Sequence, residues 1–109
     1  MTSIRSRLLT TVLAATVAVP AFAEGELNLY SSRHYDTDER LYSNFTEMTG
    51  ITINRIEGNA DELIARMDAE GDNSPADVFL TVDTSRLERA KDAGLFQSID
   101  SDILESRVP

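Results

Sequence analysis

From Glu26 to Ser31 the side chains alternate: Leu27, Leu29 and Ser31 fall on one side, Asn28 and Tyr30 on the other. That two-residue period predicts a strand. A short loop, Ser32 to Asp36, follows. Asp36 and Glu39 then stand at capping-box spacing, and Leu41, Phe45 and Met48 recur at i, i+4 and i+7. The spacing predicts an amphipathic helix that Gly50 stops. Ile51, Ile53 and Ile56 mark a second strand, with one slip in the alternation.

The scheme then repeats. Asn59 and Glu62 have the capping spacing before Leu63, Ile64 and Met67, and Gly71 supplies the stop. Asp72-Asn73-Ser74-Pro75 is a turn cluster. Val78 to Val82 is a short apolar run that predicts a buried strand. Asp83, Thr84 or Ser85 can each cap a third helix, which carries Leu87 and Ala90 and ends at Gly94. Leu95 to Ile99 is extended in this reading, and Asp100 to Arg107 starts a further helical turn. Strand and helix alternating three times imply βαβ crossovers. The expected fold class is therefore α/β, a mainly parallel sheet flanked by helices. Three strands make a thin sheet with two bare edges and a small core, so part of a larger unit is expected.

The first 23 residues stand apart from this pattern. Arg5 and Arg7 form a positive start, Leu8 to Val19 carries no charge, Pro20 breaks the run, and Ala21-Phe22-Ala23 places small residues at a cleavage site. These are the parts of a secretory signal peptide. The apolar run is too short for a membrane span, which takes about 20 residues. The serine between Arg5 and Arg7 speaks against a twin-arginine signal. Residues 1–23 are read as the signal peptide and 24–109 as the folded part, soluble in the periplasm with no stable membrane insertion after cleavage.

Charge and composition narrow the partners. The net charge of the 109 residues is −9, and cleavage of the leader removes two arginines more. Nucleic acid and anionic membranes attract basic surfaces, so neither fits. With no cysteine, disulfides, thiolate metal sites, a cysteine nucleophile and a lipid-modified N-terminal cysteine are all excluded.

Ligands of open parallel sheets gather at the carboxyl ends of strands. The first such loop, Ser31-Ser32-Arg33-His34-Tyr35, contains the only histidine in the chain. Thr81-Val82-Asp83-Thr84 is a second loop, and Glu57-Gly58-Asn59 a weaker third. Taken singly, these residues are ordinary: a lone histidine is more often a surface or packed residue than a ligand. Likewise, Tyr35 is more often packed, Arg33 solvated, and Asp83 a helix cap. Tyr30 reads as core and Tyr42 as flanking the first helix's stripe. No G-x-S-x-G elbow, H-E-x-x-H pair or phosphate-cradling glycine loop occurs. An acid–base pair of His34 and Asp83 across strand ends is conceivable, with a serine as nucleophile.

In order, the stretches LNLYSSRHYDTDERLYSNFTEMTGI, IEGNADELIARMDAEGDNSPADVFLTVD and RLERAKDAGLFQSI resemble the N-terminal part of periplasmic ferric-iron-binding proteins. These are the solute-binding subunits of iron ABC transporters. The resemblance covers residues 26–109, and YSSRHY, GDNSPADVFLTVD and AGLFQ in this order carry it. It implies a partial lobe of a two-lobed periplasmic-binding-protein fold whose cleft closes on Fe(III). It also implies delivery to an inner-membrane ABC permease by a monomer without enzymatic activity. By the same resemblance His34 and Tyr35 are metal ligands. Arg33, placed to hydrogen-bond a ligand or a bound anion or else to face solvent, and Asp83 are further candidates from the ligand loops. The remaining ligands are tyrosines of a second lobe, an adjacent pair among them, with no counterpart in these residues. Where some members carry a glutamate ligand after the third strand this chain has Val82, which favours the tyrosine-rich form of the site.

Chemistry agrees with that implication. Fe(III) is a hard cation that prefers anionic oxygen. A phenol, with an ordinary pKa of about 10, must lose its proton to ligate, and a bound metal drives that loss. Two ligands from one loop do not fill a coordination sphere, so the chain alone is expected to bind iron weakly. Two alternatives remain at this point. One keeps the fold and binds another small ligand, an anion, polyamine or sugar. The other is a secreted hydrolase with His34 as general base.

Overall fold

The computed structural model describes residues 25–109. The signal-peptide reading of residues 1–23 lies outside the described residues. Three strands form one parallel sheet: β1 (Gly25–Ser31), β2 (Ile51–Glu57) and β3 (Val78–Leu80), in the order β2-β1-β3. The helix α1 (Glu39–Thr49) leads from β1 to β2, and α2 (Ala60–Glu70) from β2 across to β3. Two more helices follow, α3 (Thr84–Asp92) and the six-residue α4 (Asp102–Arg107). The expected α/β architecture, a parallel sheet flanked by helices, is what forms.

Each crossover covers a different face. Tyr30 of β1, Ile56 of β2 and Phe79 of β3 pack with Leu63, Ile64 and Met67 of α2 and Ala90 of α3. Leu27, Leu29, Ile53, Val78 and Leu80 point to the opposite face, where they line an apolar groove together with Leu41, Tyr42 and Phe45 of α1. The slip in β2 has its explanation here. The ladder with β1 runs without interruption, pairing Leu27 with Ile53 and Tyr30 with Ile56. Because a strand changes face at every residue, Ile53 serves the α1 core and Ile56 the α2 core.

Three boundaries differ from expectation, each for a local reason. β3 stops at Leu80 rather than Val82, since its partner β1 ends at Ser31 and the last pair is Ser31 with Leu80. The Leu80 carbonyl accepts from the Ser32 amide at 2.9 Å, which closes that last pair. The Asp36–Glu39 capping box does not form; Asp36–Asp38 is a 3-10 turn without a side-chain cap, and it leads into α1. Residues 95–99 are irregular rather than extended. Leu95 packs on the core and the Phe96 ring lies 6.4 Å from that of Phe79. The glycine stop of α1 holds: Gly50 has φ 73, a left-handed conformation that suits a residue without Cβ.

Candidate functional site

The strand order places the site. β1 lies at the centre, and the chain leaves it towards β2 and later returns to its other side as β3. A parallel sheet opens a crevice at the carboxyl end where the winding reverses. All three strand-end loops meet at that edge. Ser32 and His34 after β1, Gly58 and Asn59 after β2, and Val82 and Asp83 after β3 line one depression of about 340 Å³, with Arg86 of α3 at its rim. A neighbouring hollow of about 140 Å³ is lined by His34, Tyr35, Glu39, Tyr42, Arg55 and Glu57, among others. His34 therefore faces both spaces, Asp83 only the first, and Tyr35 only the second.

The first loop is tied down at its root. Ser31 is fully buried, and its hydroxyl accepts from the Arg33 amide at 3.1 Å and donates to the Arg33 carbonyl at 3.2 Å. The Ser31 carbonyl also accepts from the Gly58 amide at 3.1 Å, which binds the β1 loop to the β2 loop. His34 and Tyr35 then project from anchored backbone, and Tyr35 is 54% exposed. The other tyrosine of this region has the opposite fate. Tyr30, five residues earlier, is wholly buried, and its hydroxyl donates to Glu70 at 2.9 Å. Burial pushes the Tyr30 phenol up, and the Glu70 carboxylate adds to the shift. That phenol holds its proton and serves the core.

Arg33 and Asp83 are both committed. The Arg33 guanidinium donates to both oxygens of Asp38, at 2.9 and 3.1 Å, and stacks over the Tyr35 ring, 4.9 Å from its centre. This fork raises the Arg33 pKa and holds the Asp38 carboxyl below the ordinary carboxylate range. Asp83 caps α3: its carboxylate accepts from the Arg86 amide and the Ser85 hydroxyl, both at 2.8 Å. The capping amide, with the hydroxyl second, holds the Asp83 carboxyl low. Among the described residues no group of three or more histidine, aspartate or glutamate side chains is arranged to hold a metal. From these loops, the side chains free to offer a metal an imidazole nitrogen and a phenol oxygen are His34 and Tyr35.

Sequence reasoning did not single out Asp38 or Arg86. Asp38 stands five residues from Arg33, a separation that belongs to no helix or strand period. Arg86 lies one helical turn past a cap whose facing loop only the fold reveals. Among the described residues, no helix is long and apolar enough to cross a membrane.

No protein-family model matches the chain. It is 57% identical over 95 residues to iron uptake protein A1 of Synechocystis sp., covering 87% of this chain and 26% of that protein. It is 34% identical over 107 residues to the major ferric iron-binding protein of Neisseria gonorrhoeae, covering 97% of this chain and 31% of that one. Among solved structures, a Trichodesmium protein (IdiA, FutA) in complex with iron and citrate superposes with a TM-score of 0.73. Their identity is 57%, over 77% of this chain and 27% of that one. The chain thus spans less than a third of the length of the curated relatives it matches.

Proposed function

The chain belongs to the ferric-iron-binding protein family, and from that premise we propose that it forms one wall of a site that captures Fe(III) in the periplasm for an ABC importer permease. The observation that carries the reading is the meeting of three strand-end loops at His34, with a half-exposed phenol beside it on anchored backbone. In this reading His34 and Tyr35 are ligands. The Tyr35 phenolate supplies anionic oxygen, which suits a hard trivalent ion, and His34 a neutral imidazole nitrogen. Asp83 stays a helix cap, since its carboxylate is engaged by α3. Two donors leave most of the coordination sphere open. The rest is assigned to tyrosines of a second lobe, for which the relatives' greater length leaves room. The 109 residues alone then hold iron weakly, and the whole protein works as a monomer that closes on the ion.

The relatives reported above are iron uptake and iron-binding proteins rather than enzymes. A hydrolytic role for His34 would need a nucleophile beside it, and the neighbouring serines are engaged elsewhere. The Ser31 and Ser32 hydroxyls beside it donate to the carbonyls of Arg33 and Leu80.

Titration of the whole protein with ferric nitrilotriacetate tests the proposal. Wild type is expected to develop a visible tyrosinate-to-iron absorption band. His34→Ala and Tyr35→Phe should each weaken binding by at least about tenfold, the scale on which even outer-sphere partners of a metal act. A colourless protein, or wild-type affinity in both variants, contradicts the assignment.

A further inference from the structure

Asp38 occupies a place where an aspartate ordinarily caps a helix, immediately before α1, yet its side chain makes no cap bond. Its carboxylate is turned the other way. Both oxygens accept from Arg33, at 2.9 and 3.1 Å, and the aspartate side chain is only 13% exposed. The same residue's amide donates to the Tyr35 carbonyl at 2.9 Å. Asp38 therefore grips Tyr35 twice, by the backbone directly and by the ring through the Arg33 guanidinium stacked 4.9 Å from its centre. A forked arginine–carboxylate pair fixes the guanidinium plane, and a fixed cation over an aromatic face restricts where that ring can turn.

We propose that Asp38 is a positioning residue for the Tyr35 phenol, acting through Arg33 to hold the ring in the direction that ligation requires. The inference rests on the ferric reading of Tyr35 and adds to it a residue that never touches the ion. Metal sites gain from such support because a ligand already in place loses less freedom on binding. It also assigns Arg33 to the protein's own scaffold, since two of its donors are committed to Asp38.

The test uses the whole protein, with Asp38→Asn and Asp38→Glu. Asparagine keeps the size but loses the charge and the two-oxygen fork, whereas glutamate keeps both. The readouts are nuclear Overhauser contacts between Arg33 and the Tyr35 ring without iron, the charge-transfer band of the ferric form, and the rate of iron release to a competing chelator. In Asp38→Asn the contacts should vanish, the band shift and release accelerate about tenfold. Asp38→Glu should recover most of each. If Arg33 and Asp38 act as one unit, Arg33→Gln should add little to Asp38→Asn. Wild-type band and release rate in Asp38→Asn overturn the clamp, whatever the contacts show. A Tyr35→Phe protein that keeps wild-type iron binding overturns the ferric reading of Tyr35 and the clamp with it, so the two failures are told apart.

Discussion

Tyr30 and Tyr35 show how five residues change what a phenol can do. Tyr30 ends inside the sheet with its ring under α2, its hydroxyl on Glu70, and the Arg66 guanidinium 5.3 Å from its ring centre. Desolvation opposes the phenolate there, so the group is a packing residue with a polar tip. Tyr35 stands past the end of the strand, half in solvent, where a metal can reach it and displace its proton. Tyr30→Phe is accordingly expected to cost about 1 kcal/mol in urea unfolding, since Glu70 keeps its bond to Arg66 and contact with water. Ferric binding by Tyr30→Phe should match wild type. A drop comparable to that of Tyr35→Phe would show that the two phenols have been assigned the wrong roles.

At the scale of elements, one helix cap and one arginine fork carry the pH dependence. The Asp83 carboxyl is held low by the Arg86 amide and the Ser85 hydroxyl, and that of Asp38 by the Arg33 fork. For a depressed carboxyl the stabilisation is complete above the unfolded-state pKa, about 3.9, and is lost as pH falls through the lower folded value. Thermal melts should therefore hold steady from neutral pH to about pH 5 and fall below about pH 4. Asp83→Asn should flatten that fall, and an unchanged acid profile would contradict the role given to its charge. The elements themselves were largely legible: β1, both long crossover helices and the Gly50 and Asn59 boundaries follow from period and capping chemistry. What pattern could not show is tertiary. The end of β3 is set by where β1 stops, the two faces served by Ile53 and Ile56 are set by two different helices, and the Arg33–Asp38 fork has no sequence period.

In the molecule as a whole, the winding decides the chemistry. Sending α1 and α2 to opposite faces puts β1 at the centre and draws the loops after β1, β2 and β3 to one edge. His34 could be named a candidate from one loop and a family resemblance. That it shares a depression with Asn59 and Asp83, and a hollow with Tyr35, needed the fold. The face under α1 also carries a wholly apolar groove of about 230 Å³ between that helix and β3, with Leu41 64% exposed beside it. The α2 face is closed by contrast, as buried Leu63, Ile64 and Met67 show. The central claim is that Fe(III) is held at the carboxyl edge of this sheet by His34 and Tyr35. An anomalous-scattering map at the iron edge, from crystals of the whole protein loaded with Fe(III), measures it most directly. The account predicts one iron peak within coordination distance of a His34 ring nitrogen and the Tyr35 phenolate oxygen; an iron peak bonded to neither side chain would contradict it.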